Sequence, residues 1–534
     1  MSDKKTFYIT TPIYYVNDKP HIGHAYTTVA ADVISRYKRM KGFDVFFLTG
    51  TDEHGQKMEQ SAEKQGLTPI ALADKNNERF RELWKTLNIS NDDFLRTTQE
   101  RHKKNVNIIF KKMVEKGDIY LGEYEGWYCT PCEAYWTETQ LIDGNVCPDC
   151  GRETAKLKES SYFFRMSKYQ DAILEHIEKN PHFIRPESRR NEIVSFIKEG
   201  LRDLSVSRIN VSWGIPVEEN PKHIVYVWID ALTSYLSALG YFDEEENARY
   251  WPADFHMVGK DILRFHTVYW PAMLMSAGAE LPKSVFAHGW WTVDGKKMSK
   301  SMGNAIDPEW LTEKFGRDQL RYFLMREVPF GLDGDFSFRA LIHRINGDLA
   351  NDLGNLLSRT TGMVNRYFGG IIPEYSVDDA LDESLRNAAL KSAEDADNHL
   401  NGLAFNKALL SIWEFVSAMN RYIDESKPWA MAKDETLKKR LGSVLYTVLD
   451  SLRAISLLIY PFMPETAVKI RMQIGAETGD MNALFAKEAG KFNMLASGAH
   501  LPESENIFPR IDEKAMLAEL SQPSGAEKEK SCAG

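Results

Sequence analysis

The sequence predicts an α/β protein: a parallel-sheet domain interrupted by an inserted module and followed by a C-terminal α-helical bundle. Three observations carry this. Short β-rich runs alternate with helical periodicity near the N-terminus and again from His223. Between Gly117 and about Pro221 that rhythm breaks, and four of the five cysteines fall there. Beyond about Phe338 the pattern changes to long helical periodicity.

Phe7 to Thr11 reads as a short strand, and Pro12 to Pro20, with Asn17, Asp18 and Pro20, as a loop. His21 to Met40 carries helical spacing at Val29, Val33 and Tyr37, and Gly42 ends the helix. Asp44 to Leu48 is a second buried strand, followed by a polar loop from Thr49 to Gly55. After the insertion, Ile224 to Ile229, Phe255 to Val258 and Val285 to Ala287 are strand candidates, so the sheet is split and its halves meet in space. In a parallel α/β sheet ligands sit at the carboxyl ends of strands. Ile345, Leu349 and Leu353 open the helical region, with further stretches through Leu409 to Val416 and Leu441 to Ile455. The tail weakens in periodicity from about Gly475 and ends in SQPSGAEKEKSCAG, which is expected to be disordered and leaves Cys532 without a role.

A length of 534 residues implies two to four domains, and 43% hydrophobic with 27% charged residues is ordinary globular composition. No window of eighteen uninterrupted apolar residues occurs, and MSDKKT at the start lacks a signal-peptide core, so no membrane partner and a cytoplasmic location are expected. The formal charge of −10 argues, taken alone, against a protein that coats nucleic acid.

Three motifs carry chemistry. His21-Ile22-Gly23-His24 sits at a loop-to-helix junction, where two imidazoles share one face of the first turn, Gly23 admits a flat ligand, and the helix dipole favours phosphate. Two histidines satisfying a loop is the plainer alternative. Lys297, Met298, Ser299, Lys300 and Ser301, framed by Gly295 and Gly303, can close over a polyphosphate or be a solvated basic loop. Cys129-x2-Cys132 and Cys147-x2-Cys150 have the spacing of one closed, structural tetrahedral zinc site, a redox pair being the alternative.

HIGH and KMSKS, in this order on the two sheet halves, resemble the signatures of class I aminoacyl-tRNA synthetases. More narrowly, TTPIYYVNDKPHIGH, TGTDEHG, VYVWIDALTSY, VGKDILRFHTVYWPAML and SKPWAMA resemble the methionyl-tRNA synthetases, over nearly the whole chain to about residue 470. The resemblance implies a split Rossmann-like catalytic domain and a reaction in two steps. Methionine and ATP give methionyl-adenylate and pyrophosphate, and the methionyl group then passes to the terminal adenosine of tRNA(Met).

By resemblance, His21, Gly23 and His24 contact ATP phosphates, Lys297 and Lys300 neutralise the departing pyrophosphate, and Mg2+ arrives with ATP. Asp52 holds the substrate ammonium, although a helix cap or turn is its plainer reading. Ile13, Tyr15, Trp228, Ala231, Leu232, Tyr235, Ile262, Phe265, His266 and Trp270 match the positions around the methionine side chain, where aromatic rings suit a thioether. Without the resemblance the aromatics read as core and His266 as a satisfied core histidine. Gly259, Asp261 and His288 match the adenosine segment. Asn355 and Arg359, facing away from the apolar stripe, and Pro428 with Trp429 match anticodon contacts. The family also carries a zinc knuckle in its insertion.

The expected domains are 1–116 and 223–290 (catalytic halves), 117–222 (zinc-bearing insertion), 291–338 (lysine loop and linker), 339–474 (anticodon-binding bundle) and 475–534 (C-terminal extension). An insertion of about a hundred residues is too short for the editing domain of the isoleucine, valine and leucine relatives. A cysteine-specific relative would hold zinc in its amino-acid pocket. A small-molecule nucleotidylyltransferase needs no long helical domain, and a silent tRNA-binding paralogue no intact signatures. The short tail leads us to expect a monomer. Pro373 to Asn398 and Phe242 to Asp254 carry net −6 and −4, so the acidity is local and leaves basic and stacking surfaces for tRNA.

Overall fold

The computed structural model describes residues 4–520 apart from 133, 137, 244, 245, 294 and 298–305. They fall into two units, one of residues 1–35 with 43–290, the other of 36–42 with 291–534.

In the first unit, β1 (Thr6–Tyr15), β2 (Asp44–Asp52) and β3 (Asp93–Arg96) alternate with α1 (Ile22–Met40), α2 (Gln56–Lys64) and α3 (Pro69–Thr86), and α4 (Glu100–Glu115) follows. The insertion supplies β4 (Ile119–Cys129), β5 (Ala134–Trp136), β6 (Ala155–Phe164), β7 (Ile184–Arg185), β8 (Leu204–Ser205), β9 (Ser207–Arg208), β10 (Pro216–Val217), α5 (Gln170–Lys179) and α6 (Glu187–Lys198). Then come β11 (Asn220–Val225), α7 (Val227–Ser237), β12 (Phe255–Gly259), α8 (Trp270–Ala277) and β13 (Val285–His288).

Six strands form one parallel sheet in the order β3-β2-β1-β12-β13-β7. The halves join where β1 pairs with β12, Ile9 opposite Phe255. Strand order reverses there, which makes the carboxyl ends of β1 and β12 the crevice for a ligand. The sheet is covered on both faces, so its strands read as continuous apolar runs, and Tyr8, Ile9, Phe47, Leu48 and Val258 are all buried.

The structure corrects four expectations. β1 runs on through Pro12 to Tyr15, because Pro12 falls in a register shift between Thr10 and Ile13 where no ladder donor is needed. β2 continues to Asp52, so that carboxylate ends a strand and does not lie in the loop after it. The run Ile224 to Ile229 is a strand only to Val225, in an antiparallel sheet β10-β11-β9, and is helical from Val227. The insertion also lends β7 to the edge of the parallel sheet, beside a separate antiparallel sheet β5-β4-β6-β8.

The second unit holds a small sheet of β14 (Trp291–Val293), β15 (Lys296–Lys297) and β16 (Gly334–Phe336). Around it are α9 (Pro308–Phe315), α10 (Arg317–Arg326), α11 (Phe338–Arg344), α12 (Asn355–Phe368), α13 (Ala380–Asn401), α14 (Phe405–Ser426), α15 (Pro428–Met431), α16 (Lys438–Ile459), α17 (Pro464–Gln473), α18 (Met481–Glu488) and α19 (Glu513–Leu520). Ile345–Gly354 is a π-helical turn between α11 and α12, yet Ile345, Leu349 and Leu353 are buried as their spacing predicts. The stretch Glu435–Ile459 is long and apolar enough to cross a membrane, but 89% of its most apolar eighteen-residue window is buried inside the protein. Its Arg453, with Arg471, meets Glu488 of α18 at 3.0 and 2.9 Å in a buried ion cluster that includes Asp450. The terminal stretch expected to be disordered, 521–534 with Cys532, lies outside the described residues.

Candidate active site and cysteine centre

At the end of β1 the loop to α1 brings the two histidines of the first motif together. Their rings stack with centroids 3.8 Å apart. His21 Nδ1 accepts the Gly23 amide at 3.1 Å and His24 Nδ1 accepts the His21 amide at 3.1 Å. In each neutral imidazole the proton is therefore assigned to Nε2, where it can donate to a phosphate oxygen. A Cβ on Gly23 would lie 2.9 Å from His21 Cε1, so only glycine lets the ring fold back over the turn. Tyr14 and Phe80 pack on His24 at 4.9 and 5.2 Å.

The residues matched to the methionine side chain gather beside this turn. Trp228 lies flat on Phe265, centroids 3.7 Å apart and planes at 5°. His266 is 1% exposed: its Nδ1 donates to Ile262 O at 2.9 Å and its Nε2 accepts from the Tyr235 hydroxyl at 2.7 Å. Burial lowers its pKa to about 4, so it is neutral and orients Tyr235. Phe265–Tyr269 is a π-helical turn, a form concentrated at functional sites and invisible to sequence periodicity. Trp270, Ala231 and Leu232 are buried behind the rings, Ile262 is half-buried, and Ile13 packs at the end of β1. Asp52 is 7% exposed, near enough to Tyr235 for its charge to help raise the phenol's pKa after burial and Tyr14.

Sequence reasoning missed the group that ties these pieces together. Asp230, on the first turn of α7 and 1% exposed, accepts from His54 Nδ1 and from His102 Nε2, each at 2.6 Å. The His54 carbonyl accepts from the Tyr15 hydroxyl at 2.6 Å, and the Glu53 carbonyl from Trp213 Nε1 at 2.5 Å. One buried carboxylate thus joins the helix of Trp228 to the loop that follows Asp52. Burial alone would raise Asp230, but the charges and hydrogen bonds of His54 and His102 overcome it and hold the carboxyl at about 2. The only sequence signal was a single acid inside an apolar helix.

At the end of β12 a Cβ on Gly259 would meet Asp261 Oδ1 at 2.6 Å, which explains the glycine. Asp261 accepts from Trp290 Nε1 at 3.0 Å. His288 is buried, with Nδ1 toward Gly289 O at 2.8 Å and Nε2 toward the Thr27 hydroxyl at 2.7 Å, so it braces β13 against α1.

The sulfur atoms of Cys129, Cys132, Cys147 and Cys150 all lie within 4.8 Å of one another, and none forms a disulfide. Cys129 and Cys150 are 3.5 Å apart and Cys132 and Cys147 3.9 Å, against about 3.8 Å for a tetrahedron with zinc–sulfur bonds near 2.3 Å. Burial and the adjacent thiols push Cys129 up to about 12, whereas at Cys150 the Arg152 backbone and the neighbouring thiols outweigh burial and lower the thiol. Four protein ligands fill the tetrahedron, so the site fits one structural zinc.

Lys297 ends β15, and Gly295 donates to Asp335 at 2.9 Å at its base. Lys300, with Met298, Ser299, Ser301 and Gly303, lies outside the described residues. On α12, Asn355 and Arg359 are exposed, and Arg359 reaches Asp424 of α14 at 3.1 Å. Lys427 caps α14, and its φ of 50° turns the chain into Pro428 and a 43% exposed Trp429.

Residues 7–160 and 153–361 match the family model for tRNA synthetases class I (M), and residues 372–527 that for the anticodon binding domain of methionyl tRNA ligase. The chain is 55% identical over 521 residues to the methionine–tRNA ligase of Caldanaerobacter subterraneus subsp. tengcongensis, which covers 97% of this chain and 81% of that protein. It is 53% identical over 522 residues to that of Clostridium tetani, covering 97% and 80%. A solved structure of Mycobacterium tuberculosis methionyl-tRNA synthetase in complex with methionyl-adenylate superposes with a TM-score of 0.91 at 45% identity, covering 95% of this chain and all of the other. With two sheet halves joined where β1 pairs with β12, a histidine turn after β1, a four-cysteine centre and a helical domain that matches the anticodon-binding model, the chain belongs to the methionyl-tRNA synthetases, within the class I aminoacyl-tRNA synthetases.

Proposed function

We infer that the chain is a methionine–tRNA ligase, which activates L-methionine with ATP and transfers the methionyl group to the 3′-terminal adenosine of tRNA(Met). The observation that carries this reading is the stacked His21–His24 pair after β1, at the strand-order reversal and in ring contact with Tyr14.

In the first step a methionine carboxylate oxygen attacks the α-phosphorus in line and the bond to the pyrophosphate oxygen breaks. Nε2–H donors of His21 and His24 stabilise the charge that grows on the phosphate oxygens, and Lys297 and Lys300 neutralise pyrophosphate as it leaves. No covalent enzyme intermediate is needed. Mg2+ enters with ATP and screens its phosphates. Asp52 pairs with the substrate ammonium, while Trp228 and Phe265 wall the thioether, as their stacking supports. Gly259 and Asp261 flank the adenosine, with His288 behind them. In the second step the tRNA terminal hydroxyl attacks the methionyl carbonyl and AMP leaves. Asn355, Arg359 and a stacking Trp429 after Pro428 read the anticodon.

We take the catalytic domain to be 1–116 with 223–290, the zinc-bearing insertion 117–222, the lysine-loop linker 291–338, the anticodon-binding bundle 339–474 and the extension 475–534. The chain acts as a monomer in the cytoplasm, and light scattering tests the first. ATP–pyrophosphate exchange with each standard amino acid tests the reaction: exchange driven by leucine or cysteine in place of methionine defeats it. Lys300→Ala is expected to cut adenylate formation far more than methionine binding.

A further inference from the structure

Arg264 stands immediately before Phe265, and its guanidinium is surrounded by rings. The Cζ lies 5.1 Å from the Trp136 centroid, 5.5 Å from Phe265 and 5.6 Å from Phe196. Nη2 is 3.4 Å from Asp149 Oδ2, while Nε is buried without a hydrogen-bond partner among the described residues. Ring faces, more than hydrogen bonds, fix this side chain. Two of its partners belong to the cysteine centre: Trp136 packs with Cys129 and Cys147, and Asp149 lies between Cys147 and Cys150. A third, Phe265, is the ring stacked on Trp228.

We infer that Arg264 couples the cysteine centre to the methionine pocket, so that bound methionine and bound zinc each strengthen retention of the other through the Trp136–Arg264–Phe265 stack. A planar guanidinium can lie against two aromatic faces at once, which an ammonium cannot. A ligand that settles Phe265 against Trp228 settles Arg264, and with it Trp136 and the cysteine hairpin. The coupling is reciprocal by linkage. Arg264 is a positioning residue here, and the inference rests on the methionine-pocket assignment above.

The test is the rate at which the zinc-loaded full chain loses zinc to a chromogenic chelator, with and without L-methionine at a concentration shown to saturate by tryptophan fluorescence. Methionine is expected to slow zinc loss about fivefold, an ordinary coupling. In Arg264→Met, which keeps the apolar stem, the ratio falls to about one while methionine still binds. Asp149→Asn removes the ion pair but keeps the stack and retains most of the ratio. An unchanged ratio in Arg264→Met, or no slowing in the wild type despite saturation, overturns the coupling. Loss of the ratio in Asp149→Asn overturns the stacking route. If Arg264→Met does not fold, Arg264→Lys serves: it should lose the ratio, and a wild-type ratio there overturns the inference. A wild type whose fluorescence shows no methionine binding overturns the pocket assignment itself, a separate failure.

Discussion

Replacing Asp230 by asparagine keeps the shape of the side chain and removes the charge that His54 and His102 share. The carboxyl is held at about 2 against an ordinary 3.8, and the group is fully buried, so the interaction amounts to about 2 kcal/mol. Because the folded-state value is depressed, this stability is fully present above pH 3.8 and lost as pH falls toward 2. At pH 7 the variant should therefore lose about 2 kcal/mol. If half of that falls on the alignment of Trp228 with the Tyr15 side of the pocket, KM for methionine rises about fivefold, with a smaller change in kcat. Guanidinium unfolding followed by tryptophan fluorescence gives the first number, and pyrophosphate exchange at varied methionine the second. A loss below about 0.5 kcal/mol would refute the charge argument. Full destabilisation with an unchanged KM would leave Asp230 a purely structural group and refute its positioning role.

Gly23→Ala should push the His21 ring off His24, since the added Cβ would sit 2.9 Å from Cε1, and lower the exchange rate roughly tenfold to a hundredfold while methionine affinity measured by fluorescence stays the same. Trp429→Ala should impair tRNA charging and leave exchange intact; normal charging would end the anticodon assignment. Cys147→Ser should reduce metal content from one zinc per chain to near none by atomic absorption and open residues 129–152 to proteolysis, since a structural zinc contributes roughly 10 kcal/mol to the fold of its own module.

How much was legible depended on whether the cause was local. The helix His21 to Met40 and the strands near Phe47, Val258 and Phe286 follow from apolar periodicity, and the four cysteines from their spacing, so these are found close to where the sequence puts them. Pro12 misled because proline reads as a strand breaker, whereas a register shift in β1 supplies the missing-donor position. The run Ile224 to Ile229 misled because β-branched residues favour strands, and what makes Val227 onward helical is tertiary: Asp230 must reach two histidines, one 176 and the other 128 residues away. Neither π turn has a sequence signature, although one carries Phe265 and the other precedes Asn355. The signature histidines were legible as residues, but the proton placement on Nε2 came only from the backbone amides facing Nδ1.

The pairing of β1 with β12 also bears on how the protein is made. Thr10 meets His256 246 residues later, so a ribosome adding about 5–20 residues per second needs on the order of 10–50 s between the two. Throughout that interval one edge of β1, an apolar ten-residue strand, has no partner, which is the state most prone to pairing with another nascent chain. The cysteine centre is complete about a hundred residues earlier and can close on its metal first. Chaperone demand during synthesis should accordingly peak before residue 259 emerges and fall once β12 is available, whatever the stability of the finished enzyme.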